Sequence, residues 1–216
     1  MPSNPLWLDL GSGPDPAPGF TGVDFGCEAT PGSDAEIVHC NLWDGFRWPW
    51  EDESIEKLRA WHVIEHIPHD RIPLEMRMAK IRRLVRTPSG ESIVTNHEEP
   101  YRVTQDAFFW FFDQAFRVAK PGCTFELAWP HPWHDHADQD PTHCRRIPLA
   151  HIFYLSREGR RTMRVHHYPV SCDWHVVDGS AMCLGSDDEL RPYPNAEMAR
   201  RHVGAFHEIR VTLIKP

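Results

Sequence analysis

Short apolar stretches along the chain predict a series of buried strands. The first covers Leu6–Leu10, has leucine at every second position and runs directly into Gly11 and Gly13. Apolar residues on both faces are typical of a central parallel strand. The other predicted strands are Phe20–Phe25, Glu36–Leu42, Ser54–His62, Thr124–Pro130 and His207–Ile214.

Two stretches have helical spacing. In Pro73–Val85 the apolar residues fall on one side and arginine and lysine on the other, which predicts an amphipathic helix. A second helix is predicted with Thr104 as its N-cap and an end near Lys120, before Pro121. Three prolines within residues 14–18 exclude a helix between the first two strands.

Composition narrows the functional class. The 216 residues carry a formal net charge of -8, so the excess of lysine and arginine on which non-specific duplex binding depends is missing. No basic region followed by an apolar run indicates a signal peptide, and no apolar run reaches the roughly 20 residues of a membrane helix. The six cysteines form no C-x-x-C pair, so reduced thiols and a cytoplasmic location are expected.

Polar and aromatic residues follow several predicted strands at the point where each strand ends. Ligands of open α/β sheets bind at the carboxyl ends of the strands, so a pocket is predicted at Asp9–Gly13. Further strand ends fall at Asp24, Asn41 and Trp61–His62. Asp24 follows Gly13 by only eleven positions, whereas about 20 residues separate these features in dinucleotide-binding folds.

The order of five stretches resembles a class I S-adenosylmethionine-dependent methyltransferase. The short link between Gly13 and Asp24 resembles that of a subset of the family, in which little sequence separates the glycine turn from the ribose-binding acid. The matching stretches are Leu8–Gly13, Gly22–Asp24, Trp48–Ile55, Ala60–Pro68 and Phe116–Gly122. The resemblance implies an α/β fold: a Rossmann-like, mostly parallel twisted sheet with helices on both faces and an antiparallel C-terminal strand.

The resemblance also implies which residues bind the cofactor, S-adenosyl-L-methionine. Asp24 would accept hydrogen bonds from the ribose hydroxyls, and Asn41 stands where many members have an acid that contacts adenine. Leu42 would flank the adenine, and Trp61 and His62 would lie near the transferred methyl group. The implied cofactor-binding residues are Asp9, Gly11, Ser12, Gly13, Asp24, Asn41, Leu42, Trp61 and His62.

Histidines supply the candidate catalytic and substrate-binding groups. If the acceptor must lose a proton, His62, His66 and His143 are the candidate bases, because imidazole titrates near neutral pH. The resemblance places a loop containing His143 and Arg145 beside the acceptor pocket, and His131 is added as a substrate residue. One domain over residues 1–216 is expected.

Within that domain, an insertion at 71–103 and a substrate-side loop at 131–148 are expected to carry specificity. The favoured acceptor is a small molecule, nucleotide or saccharide. Nucleic acid is possible but not indicated, no membrane partner is expected, and the oligomeric state is left open.

Two other functions remain open from the sequence. The loop 131–143 is dense in histidine and aspartate, which suits a metal-dependent hydrolase or oxygenase, although no helical H-E-x-x-H pair occurs and no metal is assigned. The other alternative is a non-catalytic nucleotide-binding domain of the Rossmann-like type. Stoichiometric metal in the purified protein would favour the first, and cofactor binding without turnover would favour the second.

Overall fold

A computed structural model describes residues 6–86, 92–184, 190–192 and 206–216. Ten strands are described: β1 Trp7–Leu10, β2 Thr21–Asp24, β3 Ile37–His39, β4 Ile55–Trp61, β5 Arg71–Arg86, β6 Ser92–Asp106, β7 Ala119–Pro130, β8 His175–Leu184, β9 Leu190–Pro192 and β10 Phe206–Ile214. The helices are α1 Ala107–Val118, α2 His136–Gln139 and α3 Arg157–Thr162, and 3-10 turns cover Ile64–His66 and Leu149–Leu155.

Eight of these strands form one sheet in the order β3-β2-β1-β4-β7-β10-β8-β9. The first five in this order are parallel, and β10, β8 and β9 continue the sheet antiparallel. The predicted Rossmann-like class, with a mostly parallel sheet and an antiparallel C-terminal strand, is confirmed. Because β1 to β4 are parallel neighbours, their carboxyl ends meet at one edge.

The helical layer is thin in the described part of the chain, where α1 is the longest helix. Loops connect β1 to β2, β2 to β3 and β3 to β4, as the prolines predict for the first connection. Helix α1 packs through Phe111, Phe112 and Ala115, which are fully buried in the core. Its N-cap is Asp106, whose side chain accepts a hydrogen bond from Phe108 N, so the prediction of Thr104 as N-cap was wrong.

The predicted helix over Pro73–Val85 was also wrong. This stretch lies in β5, which pairs antiparallel with β6 to form a separate two-stranded sheet. Apolar residues also alternate with other residues from Ile72 to Met78, which is the strand period, and the partner strand after residue 91 provides the pairing. The predicted insertion at 71–103 falls inside this hairpin, and the division of the chain into domains stays a prediction.

The core lies between the large sheet, α1 and the chain segments around Trp48 and Trp174. Both indoles are buried and donate hydrogen bonds to backbone oxygens, Trp48 to Leu42 and Trp174 to Phe112. Each aromatic ring therefore fills volume without leaving its N–H unpaired. The thiols of Cys27, Cys40, Cys123, Cys144 and Cys172 are free.

Among the described residues, no helix has both the length and the apolar character needed to cross a membrane.

Candidate active site

The turn after β1 is shaped by two glycines with positive φ, Gly11 at 66° and Gly13 at 60°. A Cβ on Gly11 would lie 2.5 Å from Val63 Cγ2, so this position excludes any side chain. A Cβ on Gly13 would meet no atom within 4 Å, so Gly13 faces open space. Gly11 therefore packs the turn against the segment after β4, and Gly13 leaves room in front of it.

Hydrogen bonds to β2 fix the position of this turn, and no helix follows it before β2. The N–H groups of Gly11 and Ser12 donate to the Val23 carbonyl at 2.7 and 3.3 Å. Gly13 N donates to Asp24 Oδ2 at 2.8 Å. The glycine turn and the acid at the end of β2 are thus joined directly, as the short link between them requires.

A cavity of about 470 Å³ opens where β1 to β4 end. It brings together six of the predicted cofactor-binding residues, Gly11, Gly13, Asp24, Asn41, Leu42 and His62, and the predicted catalytic residue His66. The sequence interpretation missed the other lining residues, Phe25, Cys40, Trp43, Val63 and Thr142. Phe25, Cys40 and Val63 lie one or two residues beyond the ends of β2, β3 and β4, which is the signal that could have found them.

Asp24 and Asn41 both accept backbone hydrogen bonds and both retain hydrogen-bonding capacity. The Asp24 carboxylate accepts from Gly13 N and from Phe25 N, one bond to each oxygen, so each oxygen keeps a lone pair. Asn41 Oδ1 accepts from Trp43 N at 3.1 Å. Leu42 beside it is buried, and its side chain forms apolar lining of the cavity.

Three predicted cofactor residues do not line this cavity. Asp9 is buried, and its Oδ2 accepts from Ala17 N at 2.9 Å and from Arg59 Nη1 at 2.5 Å, so it ties the proline-rich loop to β4. Burial raises the pKa of Asp9 although both of these partners oppose the rise. The Ser12 hydroxyl donates to Gly13 O.

Trp61 is the third. Its ring lies between two guanidinium groups, with Arg59 Cζ 4.1 Å and Arg210 Cζ 5.0 Å from the ring centroid. It lines a small separate cavity of about 140 Å³ together with Asp178 and Arg210. Cation–π contacts of this kind stabilise the end of β4, and Trp61 is not among the residues that line the cavity beside the glycine turn.

His62 lines the cavity from a left-handed backbone conformation with φ 55°. Its Nε2 lies 3.2 Å from Glu208 Oε2 and its Nδ1 3.4 Å from Glu65 Oε1. The hydrogen bond with Glu208 and the nearby Glu65 carboxylate raise the pKa of His62 to about 9. His62 is therefore protonated at neutral pH, which suits a cation or hydrogen-bond donor better than a base.

His66 and His143 lie together, with ring centroids 4.7 Å apart. His66 lines the cavity, and His143 lines an adjoining opening of about 540 Å³ that it shares with His62. Glu65 completes this group from a buried position that the sequence interpretation did not assign to the site. The three predicted catalytic histidines are therefore brought to one region of the molecule.

The other predicted substrate residues lie elsewhere. Arg145 donates from Nε to Ile67 O at 2.7 Å and from Nη2 to Asp106 Oδ1 at 2.7 Å, which fixes the loop after α2. It lines a second cavity of about 530 Å³ with Phe108 and Tyr154. His131 packs on Phe206 at 4.9 Å between centroids, and burial lowers the pKa of His131.

The described residues contain two groups with the donors of a metal site. One combines His134 and His136 of the predicted metal loop with His207 of β10. The other combines Glu65, His66 and His143. In each group the ligand atoms lie within 4.8 Å of one another.

Neither the models of known protein families nor the curated proteins contain a match to this chain. Solved structures do match. A chain of the complex between the Haloferax volcanii Trm112 methyltransferase activator and a protein described as a methyltransferase has a TM-score of 0.53 at 15% identity, covering 100% of this chain and 85% of that one. An S-adenosylmethionine-dependent methyltransferase from Archaeoglobus fulgidus has a TM-score of 0.50 at 11% identity, covering 99% and 87%.

Phosphoethanolamine N-methyltransferase 2 of Haemonchus contortus, in complex with S-adenosyl-L-methionine, has a TM-score of 0.51 at 11% identity, covering 100% of this chain and 50% of that one. At these sequence identities the similarity shows a shared fold only, and it covers essentially the whole of the present chain. The chain therefore has the Rossmann-like fold of S-adenosylmethionine-dependent methyltransferases.

Proposed function

We propose that this protein is an enzyme that transfers the methyl group of S-adenosyl-L-methionine to a small-molecule acceptor. The observation that carries the proposal is the joint position of the glycine turn and the Asp24 carboxylate at one cavity. This cavity lies at the carboxyl ends of parallel strands, where ligands of open α/β sheets bind. The fold it belongs to is shared with methyltransferases.

The residues present fit the proposed cofactor. Asp24 lines the cavity and each of its oxygens keeps a lone pair, which matches the two neighbouring hydroxyls of a ribose. The space in front of Gly13 is open, so a ligand can approach the backbone there. Phe25 lines the cavity with a side chain that is 73% exposed, and with buried Leu42 it offers apolar surface to a purine ring.

S-adenosyl-L-methionine supplies a methyl group on a positively charged sulfur, and that sulfur leaves as a neutral thioether. The protein must therefore hold the acceptor in line, exclude water and accept a proton where the acceptor loses one. His62, His66 and His143 are the proposed catalytic groups, because they line the cavity and the opening next to it. His62, with its raised pKa, is assigned to orient the acceptor by donating a hydrogen bond.

We favour a small polar acceptor because histidine, aspartate and proline line the opening next to the cavity. The net charge of -8 also disfavours a polyanionic acceptor. Long polyanions are repelled by such a protein. The structural neighbour from Haemonchus contortus acts on phosphoethanolamine according to its name, which is consistent with a small polar acceptor.

Titration calorimetry with S-adenosylhomocysteine tests the proposal. We expect saturable binding that weakens by about 10- to 100-fold in Asp24→Asn, because the variant loses charge-assisted hydrogen bonds. Asp15→Asn is the matched control, since Asp15 is an exposed acid on the adjoining loop and does not line the cavity. Absence of binding by the folded wild-type protein would overturn the proposal.

A further inference from the structure

The Glu65 carboxylate is the least satisfied charged group among the described residues. Its side chain is 2% exposed, and neither oxygen accepts a hydrogen bond from the described part of the chain. The nearest nitrogens are His62 Nδ1 at 3.4 Å and His143 Nε2 at 4.0 Å from Oε1. His62 offsets part of the charge but also interacts with Glu208, so one Glu65 oxygen remains without any partner. A buried carboxylate with one oxygen unpartnered can accommodate a further positively charged or hydrogen-bond-donating group beside the His62 cation.

The hydrogen-bond network assigns the tautomer of His66. The Thr142 hydroxyl donates its single hydrogen to Asp140 Oδ1 at 2.7 Å. It must therefore accept from His66 Nδ1, which lies 3.0 Å away. In a neutral imidazole this leaves the lone pair on His66 Nε2.

His143 is oriented in the same way. Its Nδ1 lies 3.1 Å from the Ala137 carbonyl, which can only accept, so Nδ1 carries the hydrogen. In a neutral ring the lone pair of Nε2 then faces the Glu65 carboxylate at 4.0 Å, an arrangement that is repulsive unless a proton or a metal ion lies between them. Histidine ligands of metal ions characteristically donate their other ring N–H to a carbonyl or another polar group, as both of these do.

Backbone contacts hold the three side chains in place. Cys144 N and Arg145 N both donate to the Glu65 carbonyl, at 2.8 and 3.0 Å. The loop bearing His143 is thereby attached to the 3-10 turn that bears Glu65 and His66. The potential ligand atoms lie within 4.8 Å of one another, and a tetrahedral ion with bonds of about 2.1 Å needs them about 3.4 Å apart. Side-chain rotations that move these atoms by about 1 Å close the site.

We propose that Glu65, His66 and His143 bind a divalent transition-metal ion, with the remaining coordination positions open to the cavity and its adjoining opening. Two imidazoles and one carboxylate are donors that suit Zn²⁺ and Fe²⁺. The ion would bind an acceptor oxygen and lower its pKa. This last role rests on the proposed methyl transfer, whereas metal binding does not.

The test measures Zn²⁺ binding by titration calorimetry after dialysis against a chelator. It is done in a His134→Ala, His136→Ala background, which removes the other histidine group. We expect one equivalent of Zn²⁺, with affinity lowered at least ~100-fold by His66→Ala or His143→Ala and lowered clearly by Glu65→Gln. His39→Ala, at an exposed position on β3, should leave the affinity unchanged.

Two results would overturn the inference: no Zn²⁺ uptake by the background protein, or uptake that survives both His66→Ala and His143→Ala. Circular dichroism of each variant establishes folding, and Glu65→Gln keeps the volume of the buried side chain if an alanine variant fails to fold. Cobalt absorption spectra give an independent readout of ligand loss. S-adenosylhomocysteine binding is measured separately, so failure of the methyl-transfer proposal leaves the metal stoichiometry interpretable.

Discussion

Single residues in the turn after β1 have separable roles. Gly11 combines a positive φ with a contact that leaves no space for a Cβ, whereas Gly13 has only the positive φ. The first position is therefore required for packing. The second borders open space where it lines the cavity.

We predict that Gly11→Ala lowers the free energy of unfolding by about 2–4 kcal/mol, because overpacking against Val63 adds to the backbone strain. Gly13→Ala should cost about 1 kcal/mol, the backbone part alone. Gly13→Ala should nevertheless weaken S-adenosylhomocysteine binding, since the added alanine methyl group enters the open space in front of the turn. Urea unfolding and calorimetry on the two variants check this contrast, and equal destabilisation would contradict it.

Site residues could be predicted from the sequence where their interaction partners lie close to them along the chain. Gly11, Gly13 and Asp24 were identifiable because the strand, turn and acid lie within one short segment. The part played by Glu65 was not, because its partners His143 and Cys144 approach it only through the folding of the loop after α2. Asp9 and Trp61 also look like site residues in the sequence, but both are engaged by Arg59, Asp9 through an ion pair from β1 to β4 and Trp61 through a cation–π contact within β4.

At the level of elements, the β5–β6 hairpin is the main departure from the sequence interpretation. Helical spacing and strand alternation coincide over residues 72–78, so local pattern could not separate them. Only pairing with β6 decides the outcome. Strands β1 to β4 had no such ambiguity, since each is short and bounded by glycine, proline or polar residues.

The hairpin makes its own two-stranded sheet, and none of its described residues lines the cavity beside the glycine turn. Replacing residues 77–101 with Asn-Gly joins the paired residues Met76 and Arg102 by a two-residue turn. We predict that S-adenosylhomocysteine affinity stays within about twofold and that the free energy of unfolding changes by less than about 1 kcal/mol. Loss of cofactor binding in this shortened protein would show that the hairpin supports the site.

At the level of the whole molecule, Lys215 joins the last strand to the rest of the fold. It is 7% exposed, and its Nζ donates to Ala119 O at 2.8 Å and Phe116 O at 3.0 Å. It also lies 3.3 Å from Glu53 Oε1. The cation thus satisfies carbonyls at the C-terminal end of α1, where the helix dipole favours positive charge.

We predict that Lys215→Met lowers the free energy of unfolding by about 2–4 kcal/mol, because buried carbonyls lose a charged donor. Lys120→Met is the control. Lys120 pairs with Glu56 at 2.6 Å, but both side chains are more than 40% exposed, so the expected cost is below about 1 kcal/mol. Chemical denaturation compares the two, and similar losses would show that Lys215 has no special place in the fold.

The hydrogen bonds of the turn after β1 also bear on which nucleotides could bind there. The N–H groups of Gly11, Ser12 and Gly13 are all used within the protein, by Val23 O and the Asp24 carboxylate. Dinucleotide-binding proteins place a pyrophosphate on the N–H groups of such a turn and of the helix that follows it. Here a proline-rich loop replaces that helix, and a pyrophosphate would find no donor at the turn. We therefore expect the framework that holds Asp24, the proposed ribose contact, to discriminate against nicotinamide and flavin dinucleotides.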